Sequence, residues 1–231
     1  MIDCFAIIKD EEELLQYCLE SFENIVDLIG VVSCVDNGST DATLEIIDSF
    51  HTRLPIVLQR ENRHAHHGAL RTLALEKCKA EWIYYLDSDE THSQNMRNWM
   101  SSGVIEEADV WDFYKYTTIV DRFHYVEGGN GPCTRLFRNK EGVHFPQNVH
   151  TEPTHPELRR KRMAQGVYLW DHTACKSQEG LIAKGWRYQT HQGTVGIGPW
   201  HEYQGRVANA HRLGLVREHD DAMKALILTG P

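Results

Sequence analysis

The stretch EWIYYLDSDETHS, Glu81 to Ser93, decides the fold. Its apolar and aromatic run from Trp82 to Leu86 passes without a break into Asp87, Ser88, Asp89 and Glu90. Such a run suits a strand buried on both faces, as in a parallel sheet. A buried, unpaired carboxylate is costly, and carboxylates at i and i+2 repel one another, so a cation or a proton is expected beside Asp87 and Asp89. Oxygen-only ligands favour a hard divalent ion such as Mg²⁺ or Mn²⁺. A polar turn after an edge strand is the plainer reading of an isolated Asp-x-Asp.

Working outward, the first hundred residues alternate two periodicities. CFAII (Cys4 to Ile8), IGVVSCV (Ile29 to Val35) and PIVL (Pro55 to Leu58) are further short apolar runs. Between them lie helical stripes: Leu14, Cys18 and Phe22; Leu44 with Ile47 and Ile46 with Phe50; Leu70, Leu73, Ala74 and Cys78. This alternation predicts right-handed βαβ units and a mostly parallel sheet, an α/β fold. In such sheets the ligand crevice lies beyond the carboxyl ends of the strands. The segments KDEEE (Lys9 to Glu13), DNGSTD (Asp36 to Asp41), QRENRHAHHG (Gln59 to Gly68) and DSDE (Asp87 to Glu90) should therefore converge on one edge.

Asp36 is placed to accept an N–H from a nucleobase, Asn37-Gly38 allows a tight turn with positive φ, and Ser39 or Thr40 can cap the helix that follows. The same letters equally spell a plain strand, turn and capped helix. The histidines of RHAHHG lack partners at zinc spacing and read as polar lining. Trp111, Tyr114 and Trp200 lie near the expected cleft and are candidates for a sugar platform, although most aromatics in a chain of this size are core.

The second half reads as antiparallel or irregular: VWDFYKY (Val110 to Tyr116), then FHYVEGGNGPCTRLFRN (Phe123 to Asn139) with a Gly-rich turn at Gly128 to Gly131, then GVHFPQNVHTEP (Gly142 to Pro153) and GVYLWDH (Gly166 to His172). Helical patterns return from Ser177 to about His191 and from Trp200 to about Leu228. With 231 residues, a net charge of −9 and no block of Lys or Arg, the chain is unlike one that grips nucleic acid or an anionic membrane. It has no apolar run long enough to span a bilayer, and MIDCFAIIKDEEELL lacks the features of a signal peptide. The expectation is a cytoplasmic protein, alone or peripheral at a membrane, whose six scattered cysteines are reduced.

In order, IIKDEEELLQYCLESF, VSCVDNGSTDATLEII, ALRTLALEKCKAEWIYYLDSDE, TRLFRNKEGVHFPQNVH and DHTAC resemble the family 2 glycosyltransferases of GT-A fold, in the branch of small sugar transferases of cell-envelope or surface-glycan synthesis. The resemblance covers nearly all of residues 1 to 190. It implies a nucleotide-sugar half over 1–100, an acceptor half over 101–190, and a C-terminal helical extension over 191–231. It implies a nucleoside diphosphate sugar as donor, UDP-linked, with Mn²⁺ or Mg²⁺, a glycan or lipid-linked glycan as acceptor, and inversion at the anomeric carbon.

Carried onto this chain, the resemblance gives Ile8, Lys9 and Glu11 the place along the nucleotide, and Asp36 with Asn37 the base. Arg71 falls near the diphosphate or base, Asp87 and Ser88 by the nucleotide, and Asp87 with Asp89 at the metal, Asp89 being the more direct ligand. His150 is a candidate third contact to metal or phosphate. Relatives place an acid directly after a His behind the RLFRN strand; here it falls one position later, at Glu152, preferred as the catalytic base, with Asp112 or Asp171 as the alternative. Two other classes remain open: a sugar nucleotidyltransferase, disfavoured because IIKDEEE is acidic where such enzymes need a Gly-rich basic loop, and a non-catalytic nucleotide- or glycan-binding module.

Overall fold

The structure is a computed structural model, and it describes residues 1–61, 66–119, 121, 124–126, 131–146, 152–184, 208–209, 211–214 and 216–218. The expected alternation appears as β1 (Ile2–Ile8), α1 (Leu15–Glu23), β2 (Ile29–Asp36), α2 (Thr43–Ser49), β3 (Ile56–Arg60), α3 (His67–Leu75) and β4 (Trp82–Tyr85). The four strands run parallel, with β1 between β2 and β4 and β3 outside β2. Ile8 pairs with Asp36, Asp36 with Arg60, and Phe5 with Tyr85, so the carboxyl ends of all four strands open on the same edge.

Both faces of this sheet are covered, which is why its strands are apolar throughout. On one face Leu15, Cys18, Leu19 and Phe22 of α1 and Ile47 of α2 pack on Cys4, Val32, Cys34 and Tyr84. On the other, Leu70 and Ala74 of α3 pack on Phe5, Val35 and Tyr85. The Phe5 and Tyr85 rings stack at 4.9 Å between centroids. Asp3 looks misplaced in so apolar a strand, yet its carboxylate accepts the N–H of Val31 at 3.0 Å and of Ala80 at 2.7 Å, tying β2 to the entry of β4. Cys4, Cys18, Cys34 and Cys78 are buried thiols, not disulfides.

The second half does not form a separate region. After β5 (Glu90–His92) and α4 (Met96–Ser101), the strands β6 (Val110–Thr117), β8 (Pro132–Arg138) and β9 (Lys161–Asp171) extend the first sheet. Its eight strands take the order β3-β2-β1-β4-β8-β6-β9-β5. The pairs β4–β8, β6–β8 and β5–β9 are antiparallel and β6–β9 is parallel. Because β8 lies directly beside β4, side chains from the second half reach the acids that end β4. A small two-stranded sheet joins β7 (His124–Val126) to β10 (Val216–Glu218), which is a strand within a stretch whose periodicity suggested helix. Residues 178–184 are helical, as expected. Among the described residues no helix is long and apolar enough to cross a membrane.

Candidate active site

The first two strand-end loops are stitched to each other. The N–H groups of Asp10, Glu11 and Glu12 donate to Ser39 Oγ at 2.9 Å, Thr43 Oγ1 at 2.8 Å and Asp41 Oδ2 at 3.1 Å. In return Asp10 Oδ1 accepts the Thr40 N–H at 2.8 Å, Glu12 Oε2 accepts the Ala42 N–H at 3.0 Å, and Lys9 Nζ donates to the Gly38 carbonyl. Gly38 has φ 78°, the positive value expected of the Asn-Gly turn. Asp36, fully buried, accepts the N–H of Gly38 at 3.2 Å and of Ser39 at 3.0 Å, with Arg60 Nε 3.7 Å away. Its carboxylate thus organises the turn. Asn37 donates its N–H to the Ile8 carbonyl at 2.9 Å, and its buried Oδ1 has no hydrogen-bond partner among the described residues.

The acids that end β4 have cations of this chain beside them. Asp87 Oδ1 accepts from Arg71 Nη2 and Oδ2 from Arg135 Nη2, both at 2.7 Å. Arg135 also holds Glu90 through Nε and Nη2, each at 2.7 Å, and Lys115 Nζ reaches Glu90 at 3.0 Å and Asp171 at 3.6 Å. Asp89 Oδ2 accepts from Thr173 Oγ1 at 2.6 Å and from Lys184 Nζ. Lys176 Nζ meets Glu11 at 2.6 Å, both side chains buried. Five carboxylates, of Glu11, Asp87, Asp89, Glu90 and Asp171, are therefore matched by five cations, of Arg71, Lys115, Arg135, Lys176 and Lys184. A cation or a proton is expected from the sequence beside these acids, and the chain itself supplies much of that relief.

The electrostatics follow. Burial pushes the Asp87 carboxyl up, but Arg135 and Arg71 outweigh it and hold Asp87 well below the usual carboxylate range. Burial acts likewise on Asp89 and is outweighed by Lys184 and Lys176. For Glu11 burial wins and the carboxyl is raised, against the pull of Lys184 and Lys176. His67, at the first turn of α3, is brought down to about 4 by burial and by Arg71, so its imidazole is neutral at pH 7. Both guanidiniums lie over the Tyr85 ring, Arg135 at 4.9 Å and Arg71 at 5.6 Å from its centroid, a cation–π arrangement.

A hard divalent ion takes oxygen donors, and the two aspartates differ in what they offer one. Asp87 has both oxygens engaged by guanidinium groups, whereas Asp89 Oδ1 accepts no hydrogen bond among the described residues. Mg²⁺-type sites commonly use one or two carboxylates and complete the shell with water and substrate phosphates, so the pair fits such an ion with Asp89 as the direct ligand. Among the described residues no group of three or more His, Cys, Asp or Glu could hold a metal. His150, the expected third contact, lies outside the described residues, as do His64 and Trp200.

Ile8, Lys9, Glu11, Asp36, Asn37, Arg71, Asp87, Ser88 and Asp89 fall in strand-end segments, or on the helix behind them, at the one edge. Glu152 and Asp112 have other partners. Lys161 Nζ binds Glu152 Oε2 at 2.8 Å and Asp112 Oδ2 at 3.2 Å, Thr134 Oγ1 holds Asp112 at 2.6 Å, and the Glu152 side chain is 59% exposed. Their polar contacts do not join the Asp87–Glu90 cluster. Trp111 is core, buried with its ring edge-on to Trp99 at 5.1 Å, while Tyr114 is exposed.

Sequence reasoning gave no role to Glu90, Lys115, Arg135, Thr173, Lys176 or Lys184, and it weighed Asp171 only as an alternative base, whereas Lys115 reaches it at 3.6 Å. Arg135 had a usable signal: an arginine inside the apolar strand PCTRLFR must find a buried partner. Lys184 had none.

Residues 4–110 match the family model described as glycosyl transferase family 2. This segment belongs to that family. The chain is 26% identical over 156 residues to the SPbeta prophage-derived glycosyltransferase SunS of Bacillus subtilis (strain 168), a match over 66% of this chain and 34% of that protein. Another curated relative, the lipopolysaccharide core biosynthesis glycosyltransferase LpsC of Rhizobium meliloti (strain 1021), is 31% identical over 97 residues, 42% of this chain. The chain spans about a third of the length of both, 34% in each case. Its fold is shared with the mannosyltransferase PcManGT of Pyrobaculum calidifontis, solved with GDP-Man and Mn²⁺, at a TM-score of 0.59 and 16% identity over 91% of this chain and 68% of that one. The likeness extends the α/β reading across the second half, beyond the stretch that the family model covers.

Proposed function

We propose that the chain transfers a sugar from a nucleoside diphosphate sugar, UDP-linked, to a hydroxyl of a glycan or lipid-linked glycan, with inversion and with Mn²⁺ or Mg²⁺. The observation that carries this reading is the convergence of the Lys9–Glu12 loop, the Asp36–Asn37 turn and the Asp87–Asp89 pair on one strand-end edge. The solved structures add support: S. aureus TarS 1–349 in complex with UDP-GlcNAc shares the fold at a TM-score of 0.56 and 14% identity, covering 91% of this chain and 72% of that one.

In this reading the base of the donor sits against the Asp36 turn. Asn37 Oδ1, buried and unpartnered, is an acceptor for an N–H such as that of uracil, and leaving it unmade would cost about 1–3 kcal/mol. The diphosphate lies over the ends of β1 and β4, where Arg71, Lys176 and Lys184 are the nearest cations to share with it. A divalent ion held at Asp89, with Asp87 behind it, would neutralise the leaving diphosphate as the anomeric bond breaks. Arg135 keeps Asp87 ionised and holds Glu90 in place. Inversion also requires one base on the acceptor side. Glu152 and Asp112 are the acids carried over for that role, and either would have to part from Lys161 to serve in it.

The test is release of nucleoside diphosphate from a panel of UDP- and GDP-sugars, with Mn²⁺ and with EDTA. Metal-dependent release of UDP is expected. Tight UDP binding without turnover of any sugar would point instead to a binding module, and release of GDP alone would overturn the UDP assignment.

A further inference from the structure

We propose that Lys184 is a tethered cation that occupies the Asp89 site and must be displaced before a divalent ion binds there. The inference rests on the metal reading above and gives Lys184 a role at Asp89 before the donor binds, in addition to its share in the diphosphate. Lys184 Nζ lies on Asp89 Oδ2 and 3.5 Å from Thr173 Oγ1, so the ammonium caps the same oxygen that the threonine holds.

The manner in which Lys184 is delivered makes displacement feasible. Residues 176–184 form a strap across the first strand-end loop. Ser177 donates its N–H to Glu13 Oε2 at 2.7 Å and its hydroxyl to Glu13 Oε1 at 3.0 Å, Lys176 pairs with Glu11, and Leu181 is buried. None of these anchors uses Asp89. The ammonium can therefore leave the carboxylate on its four-carbon stem while the strap stays docked. Asp87 offers a contrast, since its arginines sit on α3 and β8 and stack on Tyr85.

An occupant of the empty-handed state lowers apparent affinity for whatever replaces it. A bound diphosphate gives the displaced ammonium a new acceptor, so donor and metal would favour each other's binding through this lysine.

The experiment measures Mn²⁺ binding to the full chain, with no donor present, by the paramagnetic resonance of the unbound ion. Lys184→Met is expected to bind Mn²⁺ about tenfold tighter than wild type, the scale of one unit charge removed at contact distance in a partly solvated site. Lys184→Arg, which keeps the charge, should stay near wild type. Lys176→Met, which removes the neighbouring charge from Glu11, calibrates the long-range effect and should shift affinity less. Equal affinities for Lys184→Met and Lys176→Met would overturn the proposal. Should Mn²⁺ bind to wild type and be lost in Asp89→Asn while Lys184→Met matches wild type, the metal reading stands and this inference alone falls. If none of the proteins binds Mn²⁺, both fall. A second measurement needs no variant: saturating Mn²⁺ should speed acetylation of Lys184 Nζ by acetic anhydride, followed by mass spectrometry, and an unchanged rate would also overturn it.

Discussion

Asp87 and Asp89 are two positions apart at the end of one strand, yet the chain treats them in opposite ways. Asp87 is clamped by Arg71 and Arg135, planar groups on regular elements that both lie over the Tyr85 ring. Asp89 is held by a threonine hydroxyl and by one lysine on a strap, and it keeps an oxygen without a hydrogen bond among the described residues. A guanidinium fork pre-organises and stays; an ammonium on a flexible stem is strongly hydrated and exchanges readily. The acid cluster thus divides into a fixed part and an exchangeable part, and only the exchangeable part suits a ligand that comes and goes.

The largest test of that division is Arg135. Replacing it by Met would leave Glu90 and one oxygen of Asp87 buried without their main partner, and breaking a buried pair on one side costs about 3–5 kcal/mol. Urea unfolding should show a loss of that size. A loss under about 1 kcal/mol, the worth of a surface pair, would mean that the clamp is solvated and that the contrast with Asp89 is false.

Next comes Asp89→Asn, which keeps the shape and the Thr173 contact but removes the charge. If Asp89 is the exchangeable ligand, turnover should fall by on the order of 10²–10³ with little change in stability, since a metal contributes several kcal/mol to stabilising transition-state charge. The informative outcome is the ratio of the two effects. A large stability loss with modest loss of turnover would move Asp89 to the fixed part.

The parallel half was readable because burial on both faces writes itself as apolar runs, and Cys4 to Ile8, Ile29 to Val35 and Trp82 to Leu86 all became strands. The acid edge was readable for the complementary reason, that carboxylates have no business at the end of such a strand without partners. What could not be read was which partners. Arg135 and Lys115 arrive from β8 and β6 through pairings far apart in sequence, and the letters PCTRLFR and VWDFYKY carry no mark of the strand they lie beside. At the second strand end the plain reading of a strand and a turn is what the structure carries, with Asp36 organising the Asn-Gly turn, and Asn37 Oδ1 is left without a hydrogen bond among the described residues. That leftover sets a smaller test. Asn37→Ala should weaken UDP binding by about 0.5–1.5 kcal/mol in calorimetry, the net worth of one hydrogen bond to a neutral group, and unchanged affinity would leave the turn purely structural.

The smallest expected effect is at Glu152, and it bears on where the acceptor half does its chemistry. By position in the sequence Glu152 follows the RLFRN strand, but its carboxylate pairs with Lys161 at 2.8 Å on the surface, and the same lysine reaches Asp112 at 3.2 Å. A general base needs a lone pair aimed at the acceptor hydroxyl rather than one engaged by an ammonium group. Glu152→Gln retains the size and hydrogen-bonding reach of the side chain while abolishing its basicity. From this geometry kcat should stay within about threefold of wild type, whereas a positioned general base is worth roughly 10²–10⁴. Lys161→Met separates the alternatives further. If Glu152 is only a counter-ion, its loss and that of Lys161 should have the same minor effect on kcat and KM. A fall of 10² or more in Glu152→Gln, with Mn²⁺ and UDP binding intact, would instead require the loop that carries Glu152 to swing off Lys161 during turnover, and the acceptor half would then hold an exchangeable lysine–carboxylate pair of its own, parallel to the one at Asp89.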